Sequence, residues 1–532
     1  DKHRLFQESE KKESAFGWRE GESAYLFEGF DLKRLHKRFV AEPTPPFLYN
    51  YGFENMESLG ALYSRVSSHI FGDWNACGKV MGMAPWASNW NKKYKHTPVL
   101  KGSLDNLQVD WDRLKKESSP NQWNNVENRA QYATLSADIQ KDLENVVINH
   151  LNKLQTLTNA QNLAFVGGVA LNSTLNGRIH RECNFKNVFI PHYPGDQGVA
   201  IGCANFALAQ KEKENHQIKY RPLSPFSGKQ YSEQDVQKAL KTWGGWLEKV
   251  TLNDKKLTET VVDAIEDGKV VAWFQGRSEF GPRALGNRSI LADPRNKEMI
   301  KKINTAIKKR ESYRPFAPTI LNEYVPTFFT DDAESPYMSL TVKARDNIAK
   351  KIPAVIHCDG SARIQTLKEQ DNPKFYTLIK KFYEKTGIPM LLNTSFNIKQ
   401  EPIVESPSDA MNSFLNSSID FLVIHNHLFK KKSFPDMLTS SMVPISIEEF
   451  TAETVSNSEG ENISTRVMAY GKTIDLEQLE LGLLEACKGN NDLGEIANYF
   501  QDTWEVEEED LFLALETLFE KQLVTFISHR GD

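Results

Sequence analysis

The feature that most constrains this chain is a basic stretch, Gln275 to Pro318, in which glycine and proline interrupt a run of cations. Between Gly276 and Arg314 there are eleven Lys or Arg residues and four acids, a balance of +7 in a 532-residue chain whose total is −5. Glycine and proline favour a loop here. Arginines held on a loop present paired donors to phosphate oxygens. The stretch therefore predicts a site for a small polyanion.

A helix is predicted to follow this loop. Asp293 and Pro294 suit the N-cap and the first helical position, and Ile300, Ile303 and Ile307 supply a buried stripe. The lysines late in such a helix can face the loop arginines. We expect three of these cations to face one anion: Arg283, Lys308 and Arg314. The alternative, a solvated basic face, is expected for Lys297, Lys301 and Lys309.

Composition limits the class of protein. The length allows about two to four domains, and 25% charged and 40% hydrophobic residues are ordinary for a soluble globular protein. With no run of eighteen apolar residues and no signal-like leader, we expect a cytoplasmic protein without a membrane span. The five cysteines are scattered and never in CxxC spacing, which favours reduced thiols.

Two short apolar runs each enter a glycine turn and then a helix: NLAFVGGVALNSTLNGRI and VFIPHYPGDQGVAIGCANFAL. Backbone N–H groups at such turns can bind a nucleotide. Gly167 and Gly168 would let the main chain approach a ligand, and Asn172 could hydrogen-bond a ribose. In the second turn, Asp196 after Gly195 could hold a metal ion or a magnesium nucleotide. The alternatives are a structural turn for the glycines and an N-cap for Asp196.

Three predicted strands carry ligand-capable side chains. The strand Val270–Phe274 leads into the basic loop, AVIHCDGSARIQTL contains His357, Asp359 and Arg363, and Met390–Leu392 leads into Asn393, Thr394, Ser395 and Asn397. Convergence of this kind is typical of a binding cleft. The alternative for His357 is a structural histidine.

Composition also suggests where domains meet. Residues 211–228 are polar and contain prolines, which is typical of a linker. Residues 441–532 contain twenty acids and five bases and are predicted to form helix, helix, helix and strand, the order of a small winged-helix-like domain. Its acidity disfavours DNA. We therefore predict a multidomain chain of α/β and α+β class with domains at 1–222, 229–435 and 441–532.

Several motifs together resemble the ATP-dependent O-carbamoyltransferases, enzymes that tailor nodulation factors, cephamycins and tobramycin. They are GKVMGMAPW, FVGGVALNSTLNGRI, PGDQGVAIGCA, WFQGRSEFGPRALGNRSILADPR, IKKRESYRPFAP, HCDGSARIQT and LLNTSFNIKQEPIV. For the first predicted domain, the resemblance implies an actin/Hsp70-like fold similar to the tRNA threonylcarbamoyl transferase. For the second, it implies an α/β fold similar to the synthase that makes threonylcarbamoyl-adenylate.

The resemblance also implies a two-step reaction. Carbamoyl phosphate and ATP would form carbamoyl-adenylate, and the carbamoyl group would pass to a hydroxyl of a secondary metabolite with release of AMP. Forked cations suit this chemistry because two polyanions must be held together.

Carried over by motif, the residues that would hold carbamoyl phosphate and the ATP phosphates are Arg283, Lys308, Arg314 and Arg363. Asn393, Ser395 and His357 would line that pocket. In the first domain, Gly167, Gly168, Asn172 and Gly195 would hold adenylate, and Asp196 would ligate iron or another divalent metal. Mg²⁺ would accompany the nucleotide.

This sequence departs from the family pattern in three places. The family's HxxxH metal motif and its first-strand histidine, suited to act as general base, are not found, and His3 and His36 lack the required spacing. Because the chain begins with Asp1 and not Met, we expect a missing amino-terminal portion, an incomplete transfer site and a whole adenylating site. Gln400 replaces a glycine that the resemblance implies, and we expect it to stiffen a turn.

The acidic carboxyl-terminal region resembles small winged-helix domains that bind a leader peptide as an added strand; the alternative is a dimerisation or stabilising appendage. Expected partners are a small hydroxyl acceptor, a peptide or protein at this region, and a second copy of the chain, with no DNA and no membrane. Two other functions stay open. One is a carbamoyl-activating or scaffold subunit that works with a separate chain, and the other is tRNA modification, which the net acidity disfavours.

Overall fold

A computed structural model describes residues 18–29, 31–41, 56–114, 122–214, 223–399, 401–434, 442–446, 451–456, 462–469 and 472–527. These residues form a mixed α/β fold with two compact units, each built from two separate stretches of chain. The larger unit comprises Asp1–Gln230 and Thr258–Ile403, and the smaller comprises Tyr231–Leu257 and Val404–Asp532. The two units alternate along the chain. The predicted division into three consecutive domains stays a prediction.

The first part of the larger unit is mainly helical. Ser58 caps the helix Leu59–Phe71 by accepting a hydrogen bond from the Ala61 N–H, and the predicted stripe of Leu59, Leu62, Val66 and Ile70 is buried. The predicted strands near residues 14–40 form a hairpin, Trp18–Glu28 with Asp31–Ala41. Both predictions are confirmed.

The other helices of this part are Cys77–Met83, Ala87–Trp90, Arg129–Thr158, Ser173–Glu182 and Val199–Glu214. Its other strands are the antiparallel pair Leu100–Lys101 and Gln108–Val109 and the parallel pair Asn162–Ala164 and Asn187–Phe189. The 30-residue helix Arg129–Thr158 buries Leu135, Ile139, Leu143 and Val147 along one side, which explains why the sequence predicted it.

The second part of the larger unit contains six adjacent strands of a sheet. In spatial order they are Leu340–Lys343, Ser361–Leu367, Ala317–Leu321, Met390–Ser395, Arg288–Ala292 and Val271–Phe274. Neighbours are antiparallel except for the parallel pair Ala317–Leu321 and Ser361–Leu367. Asn393 lies between Ala317 and Leu291 in the register. The helices of this part are Asp254–Glu266, which begins just before it, and then Glu298–Lys301, Val325–Phe328, Asp346–Ala349 and Pro373–Thr386.

The helix after the basic loop differs from the prediction. It begins at Glu298 with Lys297 as N-cap, and Lys302–Ile307 continue as a π-helix. Asp293 is not the cap, because its carboxylate binds the Arg295 guanidinium at 2.7 Å and the Arg295 N–H. The buried positions are Met299, Ile303 and Ile307, and Ile300 is partly exposed.

The smaller unit confirms the predicted order of carboxyl-terminal elements. Helices Gln478–Ala486, Leu493–Trp504 and Glu508–Glu520 are followed by the strand Val524–Ile527. A three-stranded sheet of Thr451–Ser456, Asn462–Ala469 and Lys472–Leu476 was not predicted. The unit also contains helices Glu233–Trp243 and Pro407–Leu415 and strands Leu247–Thr251, Phe421–Ile424, His427–Lys431 and Val443–Ser446.

Trp246 connects the two stretches of the smaller unit. Its indole Nε1 donates to the Val524 carbonyl at 3.0 Å, and its ring lies in the core formed by the carboxyl-terminal helices. Across the described ranges, no helix combines the length and the apolar character that a bilayer crossing requires. His3 and Gln400 lie outside the described residues.

Candidate active site

The basic loop is folded around a buried carboxylate. Oε1 of Glu279 accepts hydrogen bonds from the N–H groups of Leu285, at 2.7 Å, and Asn287, at 2.9 Å. Burial raises the pKa of Glu279. Arg288 is 1% exposed and donates to the Gln275 carbonyl at 2.8 Å, so it supports the loop from inside. The backbone that carries Arg283 is therefore fixed by internal hydrogen bonds.

Two glycines allow the loop its close contacts. Gly286 has φ +111° and Gly281 has φ +138°, which are unfavourable for other residues. A Cβ atom at Gly286 would overlap the Phe375 ring, and one at Gly281 would overlap the His192 carbonyl. His192, in turn, donates from Nδ1 to the Phe280 carbonyl at 2.6 Å. The loop is thus packed against both the helix Pro373–Thr386 and the turn before Gly195.

Five cations of this region form what we call the cationic cradle: Arg283, Lys308, Arg310, Arg314 and Arg363. Burial, followed by the charges of Arg283, Arg310 and Arg314, holds the pKa of Arg363 well below its usual value. Burial and Arg314 lower the pKa of Arg283 to about 10 and that of Arg310 to about 9. Like charges shift one another's pKa only over short distances. The structure therefore brings all four predicted cations together.

The cradle contains few compensating acids. Among the described residues, neither Arg283 nor Arg363 has a carboxylate partner, and Nε of Arg363 is buried without a hydrogen bond. Such a cluster is costly when empty, because unpaired charges are poorly solvated inside a protein. A bound polyanion would supply the missing counter-charge.

Lys308 is the most enclosed of the five, and it lies at the end of the π-helix. Its ammonium donates to the carbonyl and hydroxyl of Ser395 and to Oδ1 and the carbonyl of Asn397, the last two at 2.7 and 2.8 Å. Burial and then Arg310 and Arg314 lower the pKa of Lys308 well below its usual value. Single π-helical turns are frequent at functional sites, and this one brings the lysine to the strand end that carries Ser395.

Asn393 and its neighbours lie beside the cradle. Its amide nitrogen donates to Thr319 Oγ1 at 2.9 Å, to Gln365 Oε1 at 3.1 Å and to the Ala284 carbonyl at 3.3 Å. Its Oδ1 is buried and has no hydrogen-bond partner among the described residues. The same side chain contacts the Ala284 carbonyl through its nitrogen, and Ala284 follows Arg283 in the chain, so this free acceptor lies near the cradle.

His357 has a different environment from the cations. Its Nε2 donates to the Gly82 carbonyl at 3.1 Å, and burial lowers its pKa. Asp359 is 3.7 Å away through Oδ1 and also accepts from the Ser361 N–H and hydroxyl. Both residues lie in the turn before the Ser361–Leu367 strand, and only Arg363 lies inside it. His357 thus ties the second part of the larger unit to the Cys77–Met83 helix.

The two glycine turns of the first part are neighbours. They follow adjacent parallel strands, and the Gly167 N–H donates to the Pro194 carbonyl at 2.6 Å. Gly167 has φ +100°, and a Cβ at Gly167 or Gly168 would meet open space. Gly195 and the exposed Asp196 belong to the second turn. The backbone of the first turn is therefore accessible to a ligand.

Asn172 is engaged by protein partners. Its Oδ1 accepts from the Leu175 N–H and from Gln140 Nε2, both at 3.0 Å, and its Nδ2 donates to Gln140 Oε1 at 2.9 Å. The side chain thus caps the helix Ser173–Glu182. A ribose would have to compete with these bonds.

A metal does not fit the described donors. Across the described residues, no group of three His, Cys, Asp or Glu side chains is close enough to hold an ion. Asp196 is a single exposed carboxylate, whereas iron in proteins needs several nitrogen or carboxylate ligands.

Sequence reasoning missed a cavity of about 360 Å³ in the first part of the larger unit. Its lining includes Met81, Ala84 and Pro85 on one side and Gln140, Glu144 and Arg178 on the other. Glu144 accepts from Gln140 at 2.6 Å and from Arg178 at 3.0 Å, and burial raises its pKa. The available signal was a pair of polar residues, Gln140 and Glu144, inside the apolar stripe of a helix.

Arg310 was also missed as a member of the cradle. Its Nε donates to Asn304 Oδ1 at 2.7 Å, and its guanidinium lies 4.6 Å from the Phe316 ring centre. In the sequence it is one of three consecutive cations, Lys308 to Arg310, with nothing to separate it from the exposed Lys309.

Two family descriptions match this chain: Carbamoyltransferase N-terminus over residues 39–205 and Carbamoyltransferase C-terminus over 262–431. Nodulation protein NolNO of Sinorhizobium fredii is 34% identical over 490 residues, covering 85% of this chain and 70% of that protein. Nodulation protein NolO of Bradyrhizobium diazoefficiens is 35% identical over 398 residues, covering 71% of this chain and 70% of that protein.

Among solved structures, full-length HypF in its phosphate- and nucleotide-bound form aligns at 13% identity with a TM-score of 0.23, covering 52% of this chain and 38% of that one. That likeness is too slight to support an argument. The two family descriptions and the two nodulation proteins are sufficient: this chain belongs to the carbamoyltransferase family and is an enzyme of that class.

Proposed function

We propose that the cationic cradle is the place where carbamoyl phosphate and ATP are converted to carbamoyl-adenylate. The observation that carries this proposal is the convergence of four guanidinium groups and Lys308 with almost no compensating carboxylate. Two polyanionic substrates repel each other, and fixed cations offset that repulsion and stabilise the charge that develops on phosphate oxygens.

The proposed reaction has three chemical steps, of which the first two form carbamoyl-adenylate and the third transfers the carbamoyl group. Water releases inorganic phosphate from carbamoyl phosphate and leaves carbamate. A carbamate oxygen attacks the α-phosphorus of ATP, and pyrophosphate leaves. The hydroxyl oxygen of an acceptor then attacks the carbamoyl carbon, AMP leaves, and the hydroxyl proton passes to a base. The cradle residues serve the first two steps by binding and orienting phosphate groups.

The third step is proposed for the first part of the larger unit. The accessible backbone of Gly167 and Gly168 and the cavity beside Gln140 support an adenylate there. We propose an actin/Hsp70-like fold for this part and a fold like that of threonylcarbamoyl-adenylate synthase for the second. The proposed acceptor is a hydroxyl of a secondary metabolite.

A carbamoyl-phosphate-dependent assay of pyrophosphate release from ATP tests the proposal. The full chain should release pyrophosphate only when both substrates are present. Arg283→Ala should lower the rate at least about a hundredfold, because removing one fixed donor to developing charge costs roughly 10²–10³ in rate. Lys301→Ala, which removes an exposed cation of the same stretch, should change it less than about twofold. Unchanged release by the Arg283 variant would remove the assignment of the cradle.

A second candidate is a carbamoyltransferase directed to a peptide by the smaller unit. The observation in its favour is the strand Lys472–Leu476, which among the described strands pairs only with Asn462–Ala469 and so lies at an edge of its sheet. An extended peptide could add to such an edge through backbone hydrogen bonds, and the acidity of residues 441–532 favours a basic peptide. Tighter binding of a basic than of an acidic test peptide would support this candidate, and equal binding would oppose it.

A further inference from the structure

Glu311 lies at the edge of the cationic cradle, and the proposed reaction gives it no role. Its Oε1 lies 2.8 Å from Nζ of Lys79. Its Oε2 lies 3.6 Å from Nη1 of Arg314 and is buried without a hydrogen-bond partner among the described residues. One carboxylate is thus shared unequally between a cation of the Cys77–Met83 helix and a cation of the cradle.

The backbone around this carboxylate is fixed. The Tyr313 hydroxyl donates to the Lys79 carbonyl at 3.5 Å, and Trp86 Nε1 donates to the Tyr313 carbonyl at 3.3 Å. Tyr313 itself is buried between the rings of Trp90 and Trp123. Since these contacts hold both backbones, a change in what Arg314 binds would be answered mainly by the Glu311 side chain.

The charge of Glu311 reaches the cradle. Although burial acts to raise it, the pKa of Glu311 is lowered by the hydrogen bond with Lys79 and by Arg314, so the group is a carboxylate at neutral pH. It also acts to raise the pKa of Arg310. Arg314, at 3.6 Å, is close enough for electrostatic attraction but beyond a good hydrogen bond.

We propose that Glu311 is a positioning residue that serves as the resting counter-ion of the cradle. Without a ligand it partly neutralises Arg314. When a phosphate anion binds Arg314, Glu311 is left to Lys79, which is already its nearer partner. Lys79 therefore weakens the hold of Glu311 on Arg314. The anion in question is carbamoyl phosphate or the polyphosphate of ATP, so this inference rests on the proposed function.

The test is the affinity of the full chain for inorganic pyrophosphate, measured by titration calorimetry near neutral pH. Glu311→Gln should bind about tenfold tighter, because the competing charge is removed. Lys79→Met should bind about three- to tenfold weaker, because Glu311 then binds Arg314 without a competitor. The double variant should bind as Glu311→Gln does. These opposite directions distinguish a counter-ion from a structural contact, whose loss on either side would weaken binding.

Two variants control for net charge. Glu298→Gln and Lys301→Met change one exposed charge of the same stretch and should stay within about twofold of the unmodified chain. Shifts of Glu311→Gln and Lys79→Met in the same direction, or no shift in Glu311→Gln, would overturn the inference. If Glu311→Gln does not fold, the test rests on Lys79→Met. The inference is then overturned if Lys79→Met binds pyrophosphate as tightly as Lys301→Met does, or more tightly.

The proposed function fails separately. If the unmodified chain binds no pyrophosphate, or if Arg283→Ala binds it equally well, the cradle is not a phosphate site and this inference falls with it. If Arg283→Ala abolishes binding while Glu311→Gln leaves it unchanged, the cradle stands and only the role of Glu311 is wrong.

Discussion

Lys308 shows most clearly how surroundings change the chemistry of one residue. It is 6% exposed, and among the described residues its ammonium donates only to neutral oxygens, those of Ser395 and Asn397. Burial and two nearby arginines lower its pKa, so the unliganded protein binds fewer protons here than an exposed lysine would. An anion bound in the cradle favours the charged form and raises the pKa again.

Anion binding should therefore take up protons. At about pH 9, below the usual lysine pKa but where burial favours the neutral form of Lys308, sulfate should bind with uptake of a measurable fraction of a proton. Sulfate has no proton of its own to exchange at this pH. Calorimetry in two buffers with different protonation enthalpies measures the uptake. Lys308→Met should lower it and Lys301→Met should not, and proton release by the unmodified chain would contradict the prediction.

Single residues were predictable where a motif fixed their role and not where packing did. Arg283, Lys308, Arg314 and Arg363 were predicted, and the structure brings them together, although their roles stay predictions. Arg310 could not be told from Lys309 beside it, because both lie beyond the π-helical turn, where the backbone leaves the helix with φ +44° at Lys309. Asn172 shows the reverse case, since its capping bond and its pairing with Gln140 are contacts that a motif does not reveal.

At the scale of elements, the basic loop depends on glycine where the chain passes the helix Pro373–Thr386. Gly286→Ala combines an unfavourable φ of +111° with overlap on Phe375. Backbone strain and overpacking each cost about 1–3 kcal/mol. We therefore expect Gly286→Ala to lower the free energy of unfolding by about 2–4 kcal/mol.

Gly268→Ala is the matched control. Its φ is +74°, but the nearest atom to a Cβ, Met299 Cε, is 4.0 Å away, so only the strain of about 1 kcal/mol is expected. Urea unfolding followed by circular dichroism measures both variants. Equal losses would show that packing against Phe375 does not hold the loop.

Elements with a strong repeating pattern were predicted well. The helix at 373–386 has the predicted bounds, and those near 59–71 and 130–157 differ by a residue or so, because a buried stripe and a cap mark them. The strands within 451–476 were missed because their polar residues hide a sparse apolar alternation, of which Val467 and Leu476 are buried in the core of the smaller unit. The predicted cap at Asp293 was wrong because its carboxylate accepts from the Arg295 N–H two residues on, as in an Asx turn, and also binds the Arg295 guanidinium.

At the scale of the whole molecule, one short segment of the larger unit lies beside both the cationic cradle and the cavity. Residues 77–86 contribute Lys79 to the edge of the cradle and Met81, Ala84 and Pro85 to the cavity. A two-step reaction needs its activated intermediate to move between sites without exposure to water. The sequence predicted the cradle cations and the glycine turns but not the cavity, and the connection between cradle and cavity through Tyr313, Trp86 and His357 depends on long-range contacts.

The central claim is that this chain activates a carbamoyl group as an adenylate, and pyrophosphate exchange tests it most directly. Adenylate formation is reversible while pyrophosphate is held in the cradle, so labelled pyrophosphate should enter ATP when carbamoyl phosphate is present and not when it is omitted. Arg283→Ala should lose the exchange. Formation of carbamoyl-adenylate would be contradicted if ATP were consumed to ADP and phosphate, or if label entered ATP equally well without carbamoyl phosphate.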